Sequence, residues 1–246
     1  MSHAVAARRE LDRLLDTDAP ALRASLPAGF ADAAQRYVAL LLEANARLNL
    51  TRIVEPEPVA RLHLLDALSS LPLIDGLGPR RALDLGSGGG VPGIVLALAR
   101  PEVSWTLVDA VRKKVDALRG IVEALGLRNV ELVAERAEIL GRAPGRREDS
   151  DLVTARACAT LPVLLEYGLP LVRVGGAVVA WKGCVAADEL HAGGNAAAQL
   201  GGGDLDIRPA GLDALGDHRF VVVRKERATP ERYPRRPGEP ARRPLA

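Results

Sequence analysis

Residues 81–93 read RALDLGSGGGVPG, and this stretch is the most informative one for the class of fold. The run RALDL is short, apolar and followed by glycine, as in a buried strand. The segment PGIVLALAR, which overlaps the end of the stretch, reads as a helix opening at Pro92, where the missing N–H costs no hydrogen bond. A strand, a glycine-rich turn and a helix in this order predict a ligand at the turn, beyond the carboxyl end of the strand.

Strand-like and helix-like segments alternate along the rest of the chain. The segments WTLVDA, NVELVAE, DLVTARA and GAVVAWKG read as strands, and RKKVDALRGIVEALG and LPVLLEYGLPLV read as helices. This alternation predicts an α/β fold with a Rossmann-like, doubly wound, mostly parallel sheet. Near the end, HRFVVVRKE is expected to form a late edge strand, and the glycine-rich stretch 193–203 is expected to be a mobile loop.

Three regions are predicted along the chain. Residues 1–78 contain short amphipathic helices, expected to pack on the core as an N-terminal cap. Residues 79–228 contain the alternating segments and form the ligand-binding core. Residues 229–246 form a tail in which basic residues outnumber acids.

The composition excludes several classes of protein. Of the 246 residues, 48% are hydrophobic and 26% charged, and the net charge is only +2, so no global field indicates a nucleic-acid partner. Cys158 and Cys184 suit neither a disulfide framework nor a zinc site, and we expect both to be small buried side chains. The first residues lack the apolar core of a signal peptide, and no segment reaches bilayer length. We therefore expect a cytoplasmic protein with no membrane partner and no metal.

The glycine-rich turn can be aligned with two ligand-binding patterns. Residues 88–93 fit the dinucleotide pattern G-x-G-x-x-G, a weak match in a stretch so rich in glycine. Residues 84–90 fit D-x-G-x-G-x-G, with which S-adenosylmethionine enzymes of the doubly wound class begin. Asp84 favours the second, because an acid at the strand end repels a pyrophosphate but can hold the ammonium or sulfonium of S-adenosylmethionine.

Further acids follow the next two strands. Asp109 follows the second strand, where a carboxylate accepts hydrogen bonds from ribose hydroxyls. Glu138 follows the third strand, where it could accept from the exocyclic amine of an adenine. With Asp84, Gly86 and Gly88 before them, these acids predict S-adenosylmethionine as the ligand and thus a class I S-adenosylmethionine-dependent methyltransferase. Membership of that class would imply a mostly parallel seven-stranded sheet.

Two motifs that are absent from the later segments exclude two classes of methyl acceptor. The fourth strand is not followed by D/N-P-P-Y/F, which enzymes that methylate exocyclic amines carry, and neither cysteine follows a proline as in cytosine-C5 enzymes. What stands there is a basic pair, Arg156 after the fourth strand and Lys182 after the fifth. We expect the guanidinium of Arg156 to grip a phosphate or the cofactor carboxylate through two hydrogen bonds.

The chain resembles a known family, the bacterial 16S rRNA guanine-N7 methyltransferases called glucose-inhibited division protein B or RsmG. The resemblance covers nearly the whole chain beyond a variable N-terminal extension. It rests on NARLNLT, RLHLLDALS, LDLGSGGGVPGIVLAL, TLVDAVRKKVDAL, ERAE, TARACATL, AWKG and TPERYPRRPGEPARRPL. Val91 departs from the Phe or Leu common in the family, and Ala155 departs from a common Ser.

The resemblance implies a role for individual residues. The residues that it implies for S-adenosyl-L-methionine are Gly86, Val91, Asp109, Ala110, Val111, Ala137, Glu138 and Arg156. Asp84 and Gly88 are added to this predicted cofactor site by the D-x-G-x-G-x-G pattern. Arg156 and Lys182 are expected to position the reacting groups. The residues expected to contact RNA are Asn49, Arg232, Tyr233, Arg235 and Arg236, and Tyr233 could either stack on a base or pin the tail to the body. His63 and Asp66 are expected to brace the N-terminal cap.

The resemblance also implies the reaction. A methyl group would pass to N7 of guanosine 527 in 16S rRNA, either as naked RNA or within the small ribosomal subunit, by in-line displacement without a general base, and the enzyme would act as a monomer. Two alternatives stay open at this point. One is a nicotinamide-dependent oxidoreductase that uses residues 88–93, and the other is a non-catalytic RNA-binding protein.

Overall fold

A seven-stranded sheet forms the centre of the molecule, in the order β3-β2-β1-β4-β5-β7-β6. The structure is a computed structural model, and it describes residues 2–246. The strands are β1 (Arg81–Leu85), β2 (Ser104–Val108), β3 (Val130–Val133), β4 (Ser150–Arg156), β5 (Val172–Lys182), β6 (Gly202–Pro209) and β7 (Arg219–Lys225). Strands β1 to β5 pair in parallel, whereas β7 is antiparallel to β5 and β6. The predicted class of fold is confirmed.

Helices flank the sheet on both faces. They are α1 (His3–Asp18), α2 (Pro20–Ala24), α3 (Phe30–Leu48), α4 (Pro56–Pro58), α5 (Asp66–Leu68), α6 (Leu71–Leu77), α7 (Gly93–Ala99), α8 (Arg112–Leu125), α9 (Ala137–Leu140), α10 (Leu161–Gly168), α11 (Ala187–Leu200) and α12 (Glu239–Arg242). Between α4 and α5 the chain forms a π-helix, Val59–Leu65. The sequence predicts a plain helix there, because hydrophobic spacing does not distinguish the two over so short a segment. Among residues 2–246 no helix is long and apolar enough to cross a membrane.

Alternation along the strands builds two apolar layers. Successive side chains of a strand point to opposite faces, so Ala82 joins one buried cluster while Leu83 and Leu85 join the other. The first cluster also contains the buried residues of α1 and α3, including Leu11 and Tyr37. The N-terminal helices therefore share one core with the sheet, as an N-terminal helical cap is expected to do.

Two predictions about the last third of the core are wrong. Strand β7 lies inside the sheet, because β6 pairs along its outer side and forms the edge. Gly193 belongs to α11, which ends at the left-handed Gly201, and β6 begins immediately afterwards, so residues 193–203 are not a loop. At Gly193 a Cβ atom would lie 2.5 Å from Leu161 Cδ2. This glycine therefore permits a close approach between α11 and α10, and glycine content was a misleading signal of mobility.

Candidate active site at the carboxyl edge of the sheet

The glycine-rich turn after β1 is fixed by its backbone. Gly86, Gly88 and Gly90 have φ of 69°, 55° and 98°, a region that side chains with a Cβ rarely adopt. The amides of Gly86 and Ser87 both donate to the carbonyl of Val108, at 2.8 and 3.0 Å, which ties the turn to the end of β2. The turn therefore lies at the carboxyl end of β1, next to the position between β1 and β4 at which the strand order reverses. Doubly wound α/β folds bind their ligands at this position.

Asp84 lies behind the turn, where no ligand reaches it. Its side chain is fully buried, accepts from Thr154 Oγ1 at 2.9 Å and from the amide of Gly93 at 3.3 Å, and lines none of the pockets at this edge. Burial raises the pKa of the carboxyl to about 6. The prediction that Asp84 itself holds a cationic part of the cofactor is corrected by this geometry, in which Asp84 supports the turn from the inside.

A pocket opens beside the turn, here called the first pocket. Its lining is Leu85, Gly86, Val108, Asp109, Ala110, Glu135, Arg136, Ala137, Glu138, Cys158 and Tyr167. Of the residues predicted for the cofactor, Gly86, Asp109, Ala110, Ala137 and Glu138 are brought together here. Val111 is half exposed and outside the lining, and its amide donates to Asp109 Oδ1 at 2.8 Å.

The two buried acids of the first pocket, Asp109 and Glu138, accept hydrogen bonds from backbone amides. The other oxygen of Asp109, Oδ2, accepts from the amide of Gly88 at 3.1 Å, so the carboxylate links the turn to the start of α8. Glu138 is buried, and Oε1 takes both of its bonds, from the amide of Gly238 at 2.7 Å and from Arg136 Nη2 at 3.1 Å. Leu85, Val108 and Ala137 add apolar surface to the lining. The pocket therefore combines apolar surface with two buried carboxylates that can accept hydrogen bonds.

Two residues of the first pocket were not predicted as part of the site. Tyr167 ends the apolar helix α10, and the sequence signal for it is the pair Glu166-Tyr167 in an otherwise apolar segment. Cys158 lines the pocket and, like Cys184, is exposed, so the expectation that both cysteines are buried is wrong. The protein packed around the Cys158 thiol nevertheless desolvates it and raises its pKa to about 11, so the sulfur is protonated at neutral pH.

Two further pockets continue along the same edge. The second shares Gly86 with the first, and its lining is Leu41, Leu50, Thr51, His63, Gly86, Ser87, Gly88, Gly89, Val91, Lys114, Arg156 and Ala157. The third shares Arg156 and Ala157 with the second, and its lining is Ile53, Leu62, Asp66, Arg156, Ala157, Trp181, Lys182, Gly183 and His218. Because neighbouring pockets share residues, they form one trough, with Arg156 between the second and third. Gly88 and Val91 lie in the second pocket.

Arg156 is held from the N-terminal side. A guanidinium has five N–H donors, and three are used here: Nη1 donates to Leu62 O and to Asp66 Oδ2 at 3.2 Å, and Nη2 donates to His63 Nδ1 at 3.2 Å. The remaining two, one on Nε and one on Nη2, make no hydrogen bond to the described residues 2–246. Leu62 lies in the π-helix and Asp66 directly follows it, so this irregular turn positions the arginine.

The hydrogen bonds around His63 fix its tautomer. Arginine can only donate, so Nδ1 of His63 is the acceptor and Nε2 carries the proton, which it donates to Thr51 Oγ1 at 2.9 Å. Burial, with Arg156 beside it, lowers the pKa of His63 to about 4. Asp66 in turn accepts from His218 Nδ1 at 2.9 Å. His63 and Asp66 therefore brace Arg156 as well as the cap.

Lys182 lies at the floor of the third pocket. Its Nζ donates to Glu189 Oε1 at 2.8 Å and to Ala159 O at 3.1 Å. The same oxygen of Glu189 accepts from the amide of Leu161 at 2.7 Å, which fixes the start of α10. Lys182 is thus positioned between α10 and α11. Among residues 2–246 no group of three or more His, Cys, Asp or Glu side chains is placed to hold a metal ion.

The basic tail does not present all of its predicted RNA contacts to solvent. Tyr233 is buried, and its hydroxyl donates to Gln199 Oε1 at 3.2 Å. Arg235 pairs with the fully buried Glu166 through Nε and Nη2. The prediction that these two residues contact RNA is corrected, because both pin the tail to the body. Arg232 and Arg236 are exposed, as is Asn49 at the end of α3.

The chain matches a family model described as rRNA small subunit methyltransferase G, over residues 31–211. It is 47% identical over 207 residues to the ribosomal RNA small subunit methyltransferase G of Deinococcus deserti, covering 84% of this chain and 85% of that protein. With the protein of the same name from Symbiobacterium thermophilum it is 40% identical over 239 residues, covering 94% and 97% of the two chains.

Solved methyltransferase structures share the fold. A putative S-adenosyl-L-methionine-dependent methyltransferase from Methanococcus maripaludis superposes with a TM-score of 0.54 at 15% identity, covering 77% of this chain and 92% of that one. An O-methyltransferase from Bacillus cereus, solved in complex with SAH, superposes with a TM-score of 0.53 at 18% identity, covering 77% and 90%. The sheet is that of class I S-adenosylmethionine-dependent methyltransferases, and the chain belongs to the rRNA small subunit methyltransferase G family.

Proposed function

We propose that the protein transfers a methyl group from S-adenosylmethionine to N7 of one guanine, guanosine 527, in 16S rRNA. The observation that carries the proposal is the trough at the carboxyl edge of the sheet. It joins a pocket with two buried acids to a second pocket under the glycine turn and a third flanked by Arg156 and Lys182, in a chain of this family.

The chemistry of the first pocket fits an adenosine better than a dinucleotide. Asp109 would accept hydrogen bonds from ribose hydroxyls, and Glu138 would accept from the exocyclic amine of an adenine. Arg136 is the only cation in the lining, and it is already paired with Glu138. A pyrophosphate in this pocket would find carboxylates and no free cation.

The second pocket would take the methionine end of the cofactor. Gly86, Gly88 and Val91 would lie under it, and Arg156 has two N–H donors left for its carboxylate. S-adenosylmethionine supplies an electrophilic methyl group on a sulfonium. The protein's part is to hold that end against the floor of the trough, with Asp84 fixing the turn from behind.

The third pocket would take the guanine. N7 of guanine has an in-plane lone pair and no proton, so its methylation needs no general base. His63, the imidazole closest to Arg156, is neutral and has both nitrogens engaged, which suits a supporting role. Rate enhancement would come from alignment of N7 with the methyl group, a contribution of roughly 7–11 kcal/mol in well-oriented reactions.

Exposed arginines of the tail and an exposed asparagine would hold the RNA backbone. Arg232 and Arg236 on the tail and Asn49 beside the second pocket are accessible for this. Such contacts position the substrate and leave sequence selection to the trough. The mouth of the trough also bears Lys114, which adds a positive charge beside the glycine turn.

Mapping of methylated guanines in 16S rRNA tests the proposal. Borohydride and aniline cleave RNA at N7-methylguanosine, so rRNA from cells with the gene should be cut at the target and rRNA from a deletion strain should not. Identical cleavage in both strains would overturn the proposal in favour of a non-catalytic RNA-binding protein. Calorimetric titration with S-adenosylhomocysteine and with NAD tests the other alternative, a nicotinamide-dependent oxidoreductase. Such an enzyme would bind NAD, whereas the proposed methyltransferase would bind S-adenosylhomocysteine.

A further inference from the structure

The tail closes against the same segments that build the wall of the first pocket. Arg142, just after α9, donates through Nε to Pro234 O and through Nη2 to Arg232 O, both at 2.8 Å. Arg147 donates to Tyr233 O at 2.9 Å and to Thr229 O at 2.7 Å. These arginines use tail carbonyls as acceptors and so fasten the tail to residues 137–147.

On its other side the tail is fastened to α10. The carboxylate of Glu166 is fully buried, and Arg235 satisfies it three times, from its amide at 2.8 Å, from Nε at 2.9 Å and from Nη2 at 2.5 Å. The residue after Glu166 is Tyr167, which lines the first pocket. The position of Tyr167 therefore depends on an ion pair that the tail completes.

The tail reaches the pocket itself at one point. The amide of Gly238, a residue with φ of 81°, donates to Glu138 Oε1 at 2.7 Å. Because Oε1 is held by Gly238 and Arg136, the second oxygen, Oε2, is the one left to meet a ligand. The orientation of the Glu138 carboxylate is thus set by a residue 100 positions later in the chain.

We infer that the segment Thr229–Gly238 is a positioning element of the cofactor pocket, in which Arg235 fixes α10 and Gly238 orients Glu138 towards the exocyclic amine of the adenine. This inference rests on the proposed function. It assigns the tail a task separate from RNA binding: selection of an adenine base over a purine that carries an oxygen in place of the amine.

The test compares the binding of two ligands, S-adenosylhomocysteine and S-inosylhomocysteine, by calorimetry. In the wild-type protein the adenine ligand should bind at least about tenfold more tightly, since the carboxylate meets a hydrogen-bond donor at position 6 of adenine and an oxygen acceptor, which repels it, at position 6 of hypoxanthine. Arg235→Ala should reduce this ratio towards one. The matched control is Arg236→Ala, which removes the same charge from an exposed neighbouring position and should retain the ratio.

The outcomes separate this inference from the proposed function and from a loss of folding. No binding of S-adenosylhomocysteine to the wild-type protein would overturn both proposals. A wild-type ratio above tenfold that Arg235→Ala leaves unchanged would overturn the inference alone, as would an equal weakening of both ligands. Arg235→Lys keeps the charge without the planar fork. If Arg235→Ala fails to fold, a reduced ratio in Arg235→Lys supports the inference and an unchanged ratio overturns it.

Discussion

At the scale of single residues, two carboxylates of the site have opposite tasks. Asp109 faces the first pocket, and Asp84 faces the protein interior. Asp84 lies near the carboxyl end of β1, and Asp109 directly follows the neighbouring parallel strand β2. The sequence alone therefore predicts a ligand-binding role for both. The difference comes from Thr154 and Gly93, which enclose Asp84.

Replacement of Asp109 by Asn should weaken S-adenosylhomocysteine binding by about 10- to 100-fold, because hydrogen bonds to a charged acceptor contribute roughly 1.5–3 kcal/mol. The affinity for an rRNA fragment should stay the same. Calorimetry and filter binding measure the two affinities. Asp116→Asn, an exposed acid on α8, is the control and should change neither. An equal loss of both affinities in Asp109→Asn would contradict the role given to Asp109.

The buried carboxyl of Asp84 should make the free energy of unfolding depend on pH. Its folded pKa of about 6 lies above the unfolded value of 3.8, so between these values the folded protein binds more protons than the unfolded chain. Its contribution to the free energy of unfolding therefore falls as pH rises through this interval. Relative to wild type, Asp84→Asn should gain about 2 kcal/mol between pH 4 and pH 7. Urea denaturation at several pH values measures the difference, and a difference that does not vary with pH would refute the assignment.

At the scale of elements, α10 and α11 show what glycine does inside a helix. Gly193→Ala should destabilise the protein by about 1–3 kcal/mol, because the added Cβ meets Leu161 at 2.5 Å and the close packing has no room for it. Gly194→Ala, one position along the same helix and with nothing within 4 Å, should stabilise it by up to about 1 kcal/mol. Chemical denaturation of both variants checks this pair. Equal effects would mean that the two helices are not in close contact.

The elements also show how far the sequence predicts this structure. Strands β1 to β5 and α8 follow directly from apolar periodicity and from Gly126 as the left-handed end of α8. The sequence does not predict strand β6, because this strand lies at the edge of the sheet and carries charged residues between its few apolar ones. The role of Arg235 could not be predicted either, since it depends on Glu166, 69 positions away, and only the fold brings the two together. Local sequence patterns predict helices and strands, whereas the partner of a buried charged residue is known only once the tertiary structure is known.

At the scale of the whole molecule, the N-terminal helices and the tail converge on one edge of the sheet. Tyr37 of α3 is buried and donates through its hydroxyl to Gly89 O at 2.8 Å. Burial raises the pKa of this phenol, so the hydroxyl remains a donor. The cap thereby holds the glycine turn from one side, while the tail holds the far wall of the first pocket from the other. The division of the chain at residue 78 remains a prediction, since both sides share one apolar cluster.

Tyr37→Phe tests this connection between cap and turn. Removal of the hydroxyl leaves the Gly89 carbonyl without its donor, which should cost about 1–3 kcal/mol of stability. Hydrogen exchange at the amides of residues 86–90 should accelerate more than exchange in β6, at the opposite edge of the sheet. Uniform acceleration across the protein would indicate a general loss of stability without a specific link to the turn.

N7 of a guanine is the proposed methyl acceptor, and substitution of that one atom tests whether the methyl group goes there. An rRNA fragment is prepared with 7-deazaguanosine at the target, which replaces N7 by C–H and leaves the remaining base edges in place. Transfer of labelled methyl groups from S-adenosylmethionine is then compared with the fragment that carries guanosine. We predict transfer to the guanosine fragment and none to the 7-deazaguanosine fragment. Comparable transfer to both would contradict the account.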